Sequence, residues 1–598
     1  MTTAPVSSIA TGLLRDFSEA GVLTVADVQV ARRVGHLFDP AAPESVLLAF
    51  ALTVRALRMG AVALDSTQIP QLVEASLEEP PPQPLPWPEP TAWAASLRSS
   101  PLVTVGASEP GRRPLRLVDD LLYLERHWAE QELVRRELLR RSRRRPQVAD
   151  PDGLAQWAAE VSARDRLGPG EVNRQAEAAQ KAVESSVLVL AGGPGTGKTT
   201  TVARALALVA RELGRAPTVA LAAPSGRAAA RLEEAVHQAL TQIDVISPEI
   251  RRELQATRAT TVHRLLGYRG RSYSRTAADP LPHEVVVVDE LSMVSLSLMA
   301  NLLPAVRDDA RLILVGDPEQ LAPVDAGAVL ADITAALEEA AKPPLPLVRL
   351  RHTWRYSGEI QQLADLVRSG EAESALELLR HGCEVTLVPL DDSGNPGDLT
   401  EVAQVAQQVG AAADAAARAG QVRQALQALS QHRVLCAHRH GRYGASTWAR
   451  MVEQWVGQVV DEHRGEWYLG RPLLVTKNDV DLGIANGDAG IIVATESGPR
   501  AAFERGPEPL LLPPAQLVDV ETMHAITIHK AQGSQFEEVT VVLPPLPSPL
   551  LTRELLYTAV TRATTRVRVV AHPEAFAAAV ATRALRASGL RSRLLAAS

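Results

Sequence analysis

Cysteines, aromatic residues and long apolar runs are all scarce in this sequence of 598 residues. The only cysteines, Cys383 and Cys436, are too few for a disulfide framework or a four-cysteine metal site. No uninterrupted apolar stretch approaches the length of about 18 residues that a membrane span needs. The start, MTTAPVSSIATGLLRDF, lacks the basic segment and apolar run of a secretory signal, so a reducing cytoplasm is the expected location.

Positive charge is not in excess either. The formal net charge is −7 and the pI is near 6.1, whereas a protein whose whole surface attracts nucleic acid is expected to be basic. Any path for DNA must therefore be lined by a local group of residues, because the surface as a whole does not attract DNA. The most basic run, Arg135–Arg145, is typical of a solvated helix end before a linker, with a phosphate or partner contact as the alternative.

Proline-rich stretches punctuate the chain at Glu79–Pro90, Lys342–Pro346 and Pro544–Pro549, and each predicts a loop or linker. The first part of the chain is amphipathic and predicts helices. After Glu171, short apolar runs followed by turns and helices predict βα units on parallel sheets, which is an α/β fold. We expect a helical domain over 1–150, α/β domains over 165–345 and 348–598, and a small β insertion over 475–525.

The strongest motif is Gly192–Thr199, GGPGTGKT, which matches the phosphate-binding pattern G-x-x-x-x-G-K-[ST] between a strand-like run and a helical segment. Its glycines let backbone N–H groups converge on phosphates, and the following helix N-terminus adds positive potential. Lys198 is expected to reach the β- and γ-phosphates, and the Thr199 hydroxyl to bind Mg²⁺. The predicted ATP contacts here are Gly192, Gly193, Pro194, Gly195, Thr196, Gly197, Lys198, Thr199 and Thr200.

A second motif is the apolar strand Val285–Glu290, VVVVDE, which ends in two acids. Asp289 is placed to hold Mg²⁺, and Glu290 to orient and deprotonate the attacking water. A third predicted strand, RLILVGD, ends in Asp317 and is followed by Gln320, which can contact the γ-phosphate. The predicted cofactors are ATP and Mg²⁺. We find no paired-carboxylate nuclease motif with a lysine, so a nuclease would belong to another chain.

Seven further segments resemble, in their order, the motifs of a superfamily 1 helicase of the 5′→3′ branch. They are NRQ, APSGRAAARL, TVHRLLG, GDPEQLAPVDAG, LRHTWRYSGEI, TIHKAQGSQF and LLYTAVTRAT. The resemblance implies two RecA-like P-loop NTPase domains, with an adenine contact at Gln175 and catalytic arginines at Arg355 and Arg562. The predicted catalytic set is Lys198, Asp289, Glu290, Gln320, Arg355 and Arg562.

Within this superfamily the chain resembles the RecD family, the alpha subunits of exodeoxyribonuclease V, or RecBCD complex. The segment KNDVDLGIANGDAGII matches that family's N-D-x-x-L-G-x-x-N-G-D-x-G pattern. The resemblance implies ATP-driven 5′→3′ movement on single-stranded DNA, separation of duplex DNA and processing of double-strand ends for recombinational repair. It also implies a heterotrimer with RecB-like and RecC-like subunits, docking through the helical domain, an SH3-like β insertion and a small hairpin (1B) at about 268–283.

The DNA contacts that the resemblance implies are polar side chains, which suit phosphate and sugar contacts without sequence preference. For each one alone, a capping or turn role is the alternative, and the two histidines could be core residues. The residues are Ser225, Thr261, His263, Asn486, Thr527, His529 and Gln532.

Other functions stay open from the sequence. A stand-alone RecD-like helicase would need no partners, but those relatives carry helix-hairpin-helix elements in a longer N-terminal extension, and we find no Gly-rich hairpin pair. A mainly structural or regulatory subunit with a dispensable ATPase is disfavoured, because every catalytic position carries the expected residue type. A relaxase helicase domain is disfavoured because no N-terminal histidine cluster with a tyrosine nucleophile is found.

Overall fold

A computed structural model describes most of the chain, and its coordinates place four β-sheets. The described residues are 10–74, 76–77, 81, 83–163, 165, 172–270, 272–352, 358–391, 393–460, 465–479, 481–504, 508–584 and 586–597. Within these ranges, every helix is too short or too polar to cross a membrane.

The N-terminal part combines six helices with a four-stranded sheet. The helices are α1 (Gly12–Glu19), α2 (Val25–Phe38), α3 (Glu44–Arg58), α4 (Ile69–Glu74), α5 (Pro90–Ser99) and α6 (Glu125–Ser142). The strands are β1 (Ala63–Asp65), β2 (Val103–Val105), β3 (Leu115–Val118) and β4 (Leu121–Leu124), in the order β1-β4-β3-β2. Their apolar residues form a core of their own around α3, which is buried along most of its length.

The N-terminal part contains the expected helices, but this sheet corrects the interpretation of the run LVDDLLYL as helical. The run LVDDLLYL is a hairpin, in which β3 and β4 pair antiparallel with Val118 opposite Leu121. Between them Asp119 and Asp120 have φ values of +49° and +61°, as a two-residue hairpin turn requires. Apolar periodicity does not separate short buried strands from a helix, which is why the sequence pattern was misleading here.

A six-stranded, all-parallel sheet, called the first sheet below, follows. Its strands are β5 (Val187–Gly192), β6 (Val219–Ala223), β7 (Ala259–Thr261), β8 (Val285–Val288), β9 (Arg311–Gly316) and β10 (Leu347–Leu350). Their order is β10-β5-β9-β8-β6-β7. The helices around it are α7 (Pro151–Val161), α8 (Arg174–Glu184), α9 (Lys198–Leu213), α10 (Gly226–Thr241), α11 (Pro248–Gln255), α12 (Val262–Leu265), α13 (Leu296–Ala305) and α14 (Val329–Glu339).

A second parallel sheet, the second sheet below, has five strands. They are β11 (Val385–Pro389), β12 (His432–Cys436), β18 (Ala525–Thr527), β19 (Phe536–Val542) and β20 (Ala563–Ala571), in the order β11-β20-β19-β12-β18. Its helices are α15 (Glu359–Ser369), α16 (Ala372–His381), α17 (Thr400–Arg418), α18 (Val422–Ala428), α19 (Ala445–Val456), α20 (Arg553–Val560) and α21 (Pro573–Ala581). A further helix, α22 (Leu590–Leu595), packs away from this sheet. Two parallel sheets flanked by helices confirm the predicted α/β class.

The β insertion is a five-stranded antiparallel sheet placed between β12 and β18 in the chain. Its strands are β13 (Pro472–Val475), β14 (Ala489–Val493), β15 (Arg500–Phe503), β16 (Leu510–Leu512) and β17 (Val520–Thr522), in the order β16-β15-β14-β13-β17. It has a small apolar core that includes Leu473, Ile492 and Phe503.

The C-terminal segment returns to the N-terminal half of the molecule, where α22 packs on α14 and α6. The N–H of Val62 donates to the carbonyl of Ala587 (2.9 Å), and Arg593 pairs with Glu132 (2.9 Å). Besides its own core, the N-terminal part contributes residues such as Tyr123 and Trp128 to a second apolar core, which it shares with one side of the first sheet and with the C-terminal segment.

Candidate nucleotide and DNA site

The carboxyl edge of the first sheet collects most of the predicted site residues. Because all six strands are parallel, their carboxyl ends meet at one edge, where loops after neighbouring strands lie side by side. From β5 across the sheet to β7, this edge carries the phosphate-loop motif, Asp317, the Asp289–Glu290 pair, Ser225 and finally Thr261 with His263. Neighbouring strands are about 4.8 Å apart, so β7 lies roughly 10 Å from β8. The predicted nucleotide-binding residues therefore lie near the centre of this edge, and the predicted DNA-binding residues lie at its β7 end.

The phosphate-loop motif forms a tight turn between β5 and α9. Gly195 and Gly197 have φ values of +78° and +84°, a conformation that glycine adopts without strain. Lys198 Nζ donates to the carbonyls of Gly192 (2.8 Å) and Gly193 (2.9 Å), which holds the ammonium inside the loop. The backbone N–H groups at the start of α9 lie at a helix N-terminus, a favourable place for phosphate.

Gln175 lies against this loop, but both polar atoms of its side-chain amide already form hydrogen bonds within the protein. Gln175 Nε2 donates to the carbonyl of Thr196 (3.1 Å), and its Oε1 accepts from Arg204 Nη1 (2.6 Å). Arg204 in turn pairs with Asp165 at 2.7 Å. In this arrangement Gln175 braces the phosphate loop, and its contact with adenine stays a prediction.

Asp289 and Glu290 follow β8 directly. Asp289 Oδ1 accepts from the N–H of Glu290 (2.8 Å), and Glu290 has a φ of +51°, which is unusual for a residue with a side chain. Burial, together with the neighbouring Glu290 carboxylate, raises the pKa of Asp289, while Lys198 opposes that rise. Two close acids beside the phosphate loop are an arrangement that a divalent cation would stabilise.

Asp317 and Gln320 are buried. Asp317 belongs to the first half of the chain, which carries the first sheet, and it contacts the second half, which carries the second sheet. Asp317 Oδ2 accepts from Gln320 Nε2 (3.2 Å) and from the Tyr557 hydroxyl (3.2 Å). Burial raises the pKa of Asp317. Gln320 Oε1 is buried without a hydrogen-bond partner among the described residues, so one polar atom at this place has capacity for a further contact.

Of the two predicted catalytic arginines, the structure describes only Arg562. Arg355 lies outside the described residues. Arg562 is 3% exposed and donates to the carbonyls of Thr558 (3.0 Å) and Ser534 (3.2 Å), so its guanidinium is held by its own half of the molecule.

Two arginines that the sequence analysis did not single out form hydrogen bonds between the two halves. Arg227 Nη1 donates to the Ser534 hydroxyl (2.7 Å), and Arg231 Nη1 donates to the carbonyl of Gly533. Burial lowers the pKa of Arg231 to about 10, with further contributions from Arg227 and Arg562. Three guanidinium groups therefore surround the segment Gly533–Ser534.

The predicted DNA contacts of the first sheet have local hydrogen-bonding roles. Ser225 Oγ accepts from the N–H of Ala228 (3.2 Å) and caps α10, and Thr261 Oγ1 accepts from the N–H of Arg264 (3.2 Å) and caps α12. His263 lies in the first turn of α12. The capping role that the sequence left open is thus present for both hydroxyls, and a DNA contact stays a prediction.

The predicted DNA contacts of the second half lie in two loops. Thr527 ends β18 and accepts from the N–H of Lys530 (3.3 Å), and His529 follows in a 3-10 helix. Gln532 Nε2 donates to the carbonyl of Leu321 (2.9 Å) across the two halves. Asn486 is exposed in the turn before β14.

These loops meet the start of α10. A Cβ atom at Gly226 would lie 3.3 Å from the Cβ of Ala485, the neighbour of Asn486. A Cβ atom at Gly533 would lie 3.9 Å from Ser225 Oγ. The structure therefore brings Ser225 close to both loops, although about 260 to 310 residues of sequence separate them.

Three family models match parts of the chain. They are an AAA domain over residues 175–326, a UvrD-like helicase C-terminal domain over 522–570 and the N-terminal domain of RecBCD enzyme subunit RecD over 19–123. The first covers the phosphate loop and the acidic pair, and the second covers the Gly533–Ser534 segment and Arg562.

Among curated proteins, the chain is 46% identical to RecBCD enzyme subunit RecD of Mycolicibacterium smegmatis over 593 residues, covering 97% of this chain and 99% of that protein. The chain belongs to the RecD family. The RecD subunit of Haemophilus influenzae is 30% identical, over 70% of this chain and 71% of that protein. The ATP-dependent RecD2 DNA helicase of Deinococcus radiodurans is 32% identical, over 70% of this chain but 51% of that protein.

RecD membership, with an AAA domain match on the first sheet and a UvrD-like helicase match on part of the second sheet, makes the chain an ATP-dependent DNA helicase. Among solved structures, it is similar to Pif1 helicase from Bacteroides in complex with ADP-AlF3 and ssDNA. That likeness has 16% identity and a TM-score of 0.39 over 68% of this chain and 92% of the other.

Proposed function

We propose that this chain is the 5′→3′ motor subunit of a RecBCD-type helicase–nuclease, acting in the cytoplasm on DNA ends during recombinational repair. The observation that carries the proposal is the match to RecD subunits along nearly the whole chain, including the N-terminal part. The RecD2 helicase matches about half of its own length, so a stand-alone motor has less support.

ATP and Mg²⁺ fit the carboxyl edge of the first sheet. The phosphate loop and Lys198 would hold the phosphates, and the Thr199 hydroxyl with Asp289 would hold Mg²⁺, whose remaining ligands are commonly phosphate oxygens and water. The raised pKa of half-buried Asp289 supports this, because a cation offsets the cost of two adjacent carboxylates. Mg²⁺ would neutralise charge that develops on the phosphates.

Glu290 is the proposed base that accepts a proton from the attacking water. Gln320, whose Oε1 is buried without a partner among the described residues, is proposed to contact the γ-phosphate or that water. Arg355 and Arg562 are proposed to stabilise the transferring phosphoryl group, and Arg562 would have to exchange backbone carbonyls for phosphate oxygens. That exchange gives ATP a means of changing the contact between the halves.

The DNA strand is proposed to run along the junction where Ser225, Asn486 and the Gly533 loop converge, past Thr261 and His263. Thr527, His529 and Gln532, which follow β18 of the second sheet, are proposed to line the same junction. The proposed division of the chain assigns 1–150 to partner docking and the two parallel sheets to the two motor domains. The expected boundary at 345–348 moves to a point after β10 (Leu347–Leu350), because that strand pairs with β5 in the first sheet. The β insertion, expected over 475–525, has its strands between Pro472 and Thr522.

RecB-like and RecC-like proteins are the proposed partners, and the nuclease would lie in one of them. The test is capture of the tagged chain from its own cells at native expression. We expect two large proteins to co-elute in equal amounts with ATP-dependent exonuclease activity. A chain that elutes alone and unwinds 5′-tailed duplex would support a stand-alone helicase instead, and a preference for 3′-tailed duplex would overturn the polarity.

A further inference from the structure

A short turn after α12 places two tyrosines side by side. Tyr268 and Tyr273 oppose each other as an antiparallel bridge, and Gly270 closes the turn with a φ of +76°. The turn is tightly built, since a Cβ atom at Gly267 would lie 1.9 Å from Ser274 Oγ. The bridge falls at the start of the region expected to form a hairpin and spans a much shorter stretch than 268–283.

Three rings form what we call the aromatic cluster: His263, Tyr268 and Tyr273. Ring centroids are 5.1 Å apart for the two tyrosines, 5.5 Å for His263 with Tyr268, and 6.3 Å for His263 with Tyr273. These spacings are those of packed aromatic pairs, so each ring limits the motion of the others. The partial burial that comes with this packing lowers the pKa of His263.

Exposure of Tyr268 is unusual in this protein. Its surface is 47% exposed, and Phe38 is the only other aromatic residue among the exposed large apolar residues that the structure describes. Only 4% of the sequence is aromatic, and large apolar residues are generally buried, so a rigidly held and exposed tyrosine is well suited to contact another π surface.

The aromatic cluster lies at the end of the carboxyl edge that also carries Ser225. Strands β6 and β7 are neighbours, with Ala223 opposite Thr261, so the loops that follow them are adjacent. Arg264 and Arg269 are exposed beside the aromatic cluster, and neither forms an ion pair with the described part of the chain. Uncommitted positive charge next to exposed rings is the combination that proteins use to hold single-stranded nucleic acid.

We propose that the aromatic cluster is a stacking platform for one unpaired base of the translocating strand, with Tyr268 as the ring that meets the base. The exposed side chains of Arg264 and Arg269, which adjoin His263 and Tyr268 in the sequence, are assigned to the flanking phosphates. Stacking of this kind does not discriminate among bases, because every base has a π face. The inference rests on the proposed DNA path and adds a base contact to its polar contacts.

The test compares Tyr268→Ala with Tyr268→Phe in the full chain, using single-stranded oligonucleotides that carry 2-aminopurine at successive positions. In the wild type, we expect one position to be quenched by stacking. Tyr268→Ala should remove that quenching and weaken binding by about 5- to 150-fold, whereas Tyr268→Phe should retain both. Phe38→Ala, which removes an equally exposed ring far along the chain, is the matched control and should change neither.

Equal quenching and affinity in Tyr268→Ala and the wild type would overturn the platform while leaving the helicase assignment intact. Failure of the wild type to bind single-stranded DNA would overturn the proposed DNA path and the platform together. ATP hydrolysis without DNA should be the same in all variants, which separates a lost base contact from damage to the nucleotide site.

Discussion

At the scale of single residues, Glu290 combines a proposed catalytic role with an unusual backbone conformation. A non-glycine residue in the left-handed region costs of the order of 1–3 kcal/mol, and the surrounding fold must hold it there. The Asp289 carboxylate does so by accepting the Glu290 N–H, so the two acids define each other's geometry.

Glu290→Gln tests the proposed base without changing the size of the side chain. We expect kcat for DNA-stimulated ATP hydrolysis to fall by about 10²- to 10⁴-fold, because the amide cannot accept a proton from water. Nucleotide binding should persist. Steady-state ATPase assays and nucleotide titration measure both quantities, with Glu234→Gln on the exposed face of α10 as the control. Near-normal turnover in a folded Glu290→Gln protein would reject this base.

At the scale of elements, local turn chemistry fixes the hairpin of β3 and β4. Asp119 has a φ of +49°, and a β-branched side chain is strained in that conformation. We expect Asp119→Val to lower stability by roughly 1–2 kcal/mol, while Asp119→Gly should retain it. Calorimetric thermal midpoints of the two variants provide the measurement. The same loss in both variants would mean that the aspartate side chain, rather than the backbone, matters.

Glu284 links the starts of β6 and β8. These are the two strands that lead into Ser225 and into the acidic pair. The Glu284 carboxylate accepts from the N–H of Thr218 (2.8 Å) and pairs with Arg215 (2.6 Å), and the hydrogen bond from Arg215 is the main cause that lowers the pKa of Glu284 to about 2. The folded chain therefore binds fewer protons than the unfolded chain between about pH 2 and pH 4.5.

The stability that Glu284 contributes should accordingly be complete above about pH 4.5 and disappear as the pH falls towards 2. Chemical unfolding at a series of pH values, with Glu284→Gln beside the wild type, measures this contribution. We expect the difference in unfolding free energy to be constant from pH 7 to 5 and to shrink at lower pH. A difference that does not change with pH would exclude the linkage.

At the scale of the whole molecule, the second half of the chain holds one residue of the first half, Leu321, by both of its backbone polar groups. The N–H of Leu321 donates to Thr558 Oγ1 (2.9 Å), and its carbonyl accepts from Gln532 Nε2 (2.9 Å). Tyr557 adds a hydrogen bond to Asp317. The contact therefore joins the loop after β9, which lies beside the nucleotide site, to the loop after β18, which lies on the proposed DNA path.

Thr558→Val keeps the shape of this contact and removes the acceptor. An unsatisfied buried N–H at Leu321 costs roughly 1–3 kcal/mol, so we expect DNA-stimulated ATP turnover to fall while nucleotide affinity without DNA stays at the wild-type value. Thr565→Val, at an exposed position of β20, is the control. Unchanged DNA stimulation in Thr558→Val would show that this contact does not transmit between the two sites.

The sequence by itself was enough to predict the residues of the proposed nucleotide site, because the phosphate loop and the acidic pair are each built from consecutive residues with local backbone requirements. It also determined the α/β class and the family resemblance. Only the tertiary structure decided what the separated segments contact. The grip on Leu321, the arginines around Gly533, the carbonyl partners of Arg562 and the aromatic cluster depend on strand order and domain packing, which no local pattern encodes. The β3–β4 hairpin belongs to this second group, since pairing between strands, rather than periodicity, distinguishes it from a helix.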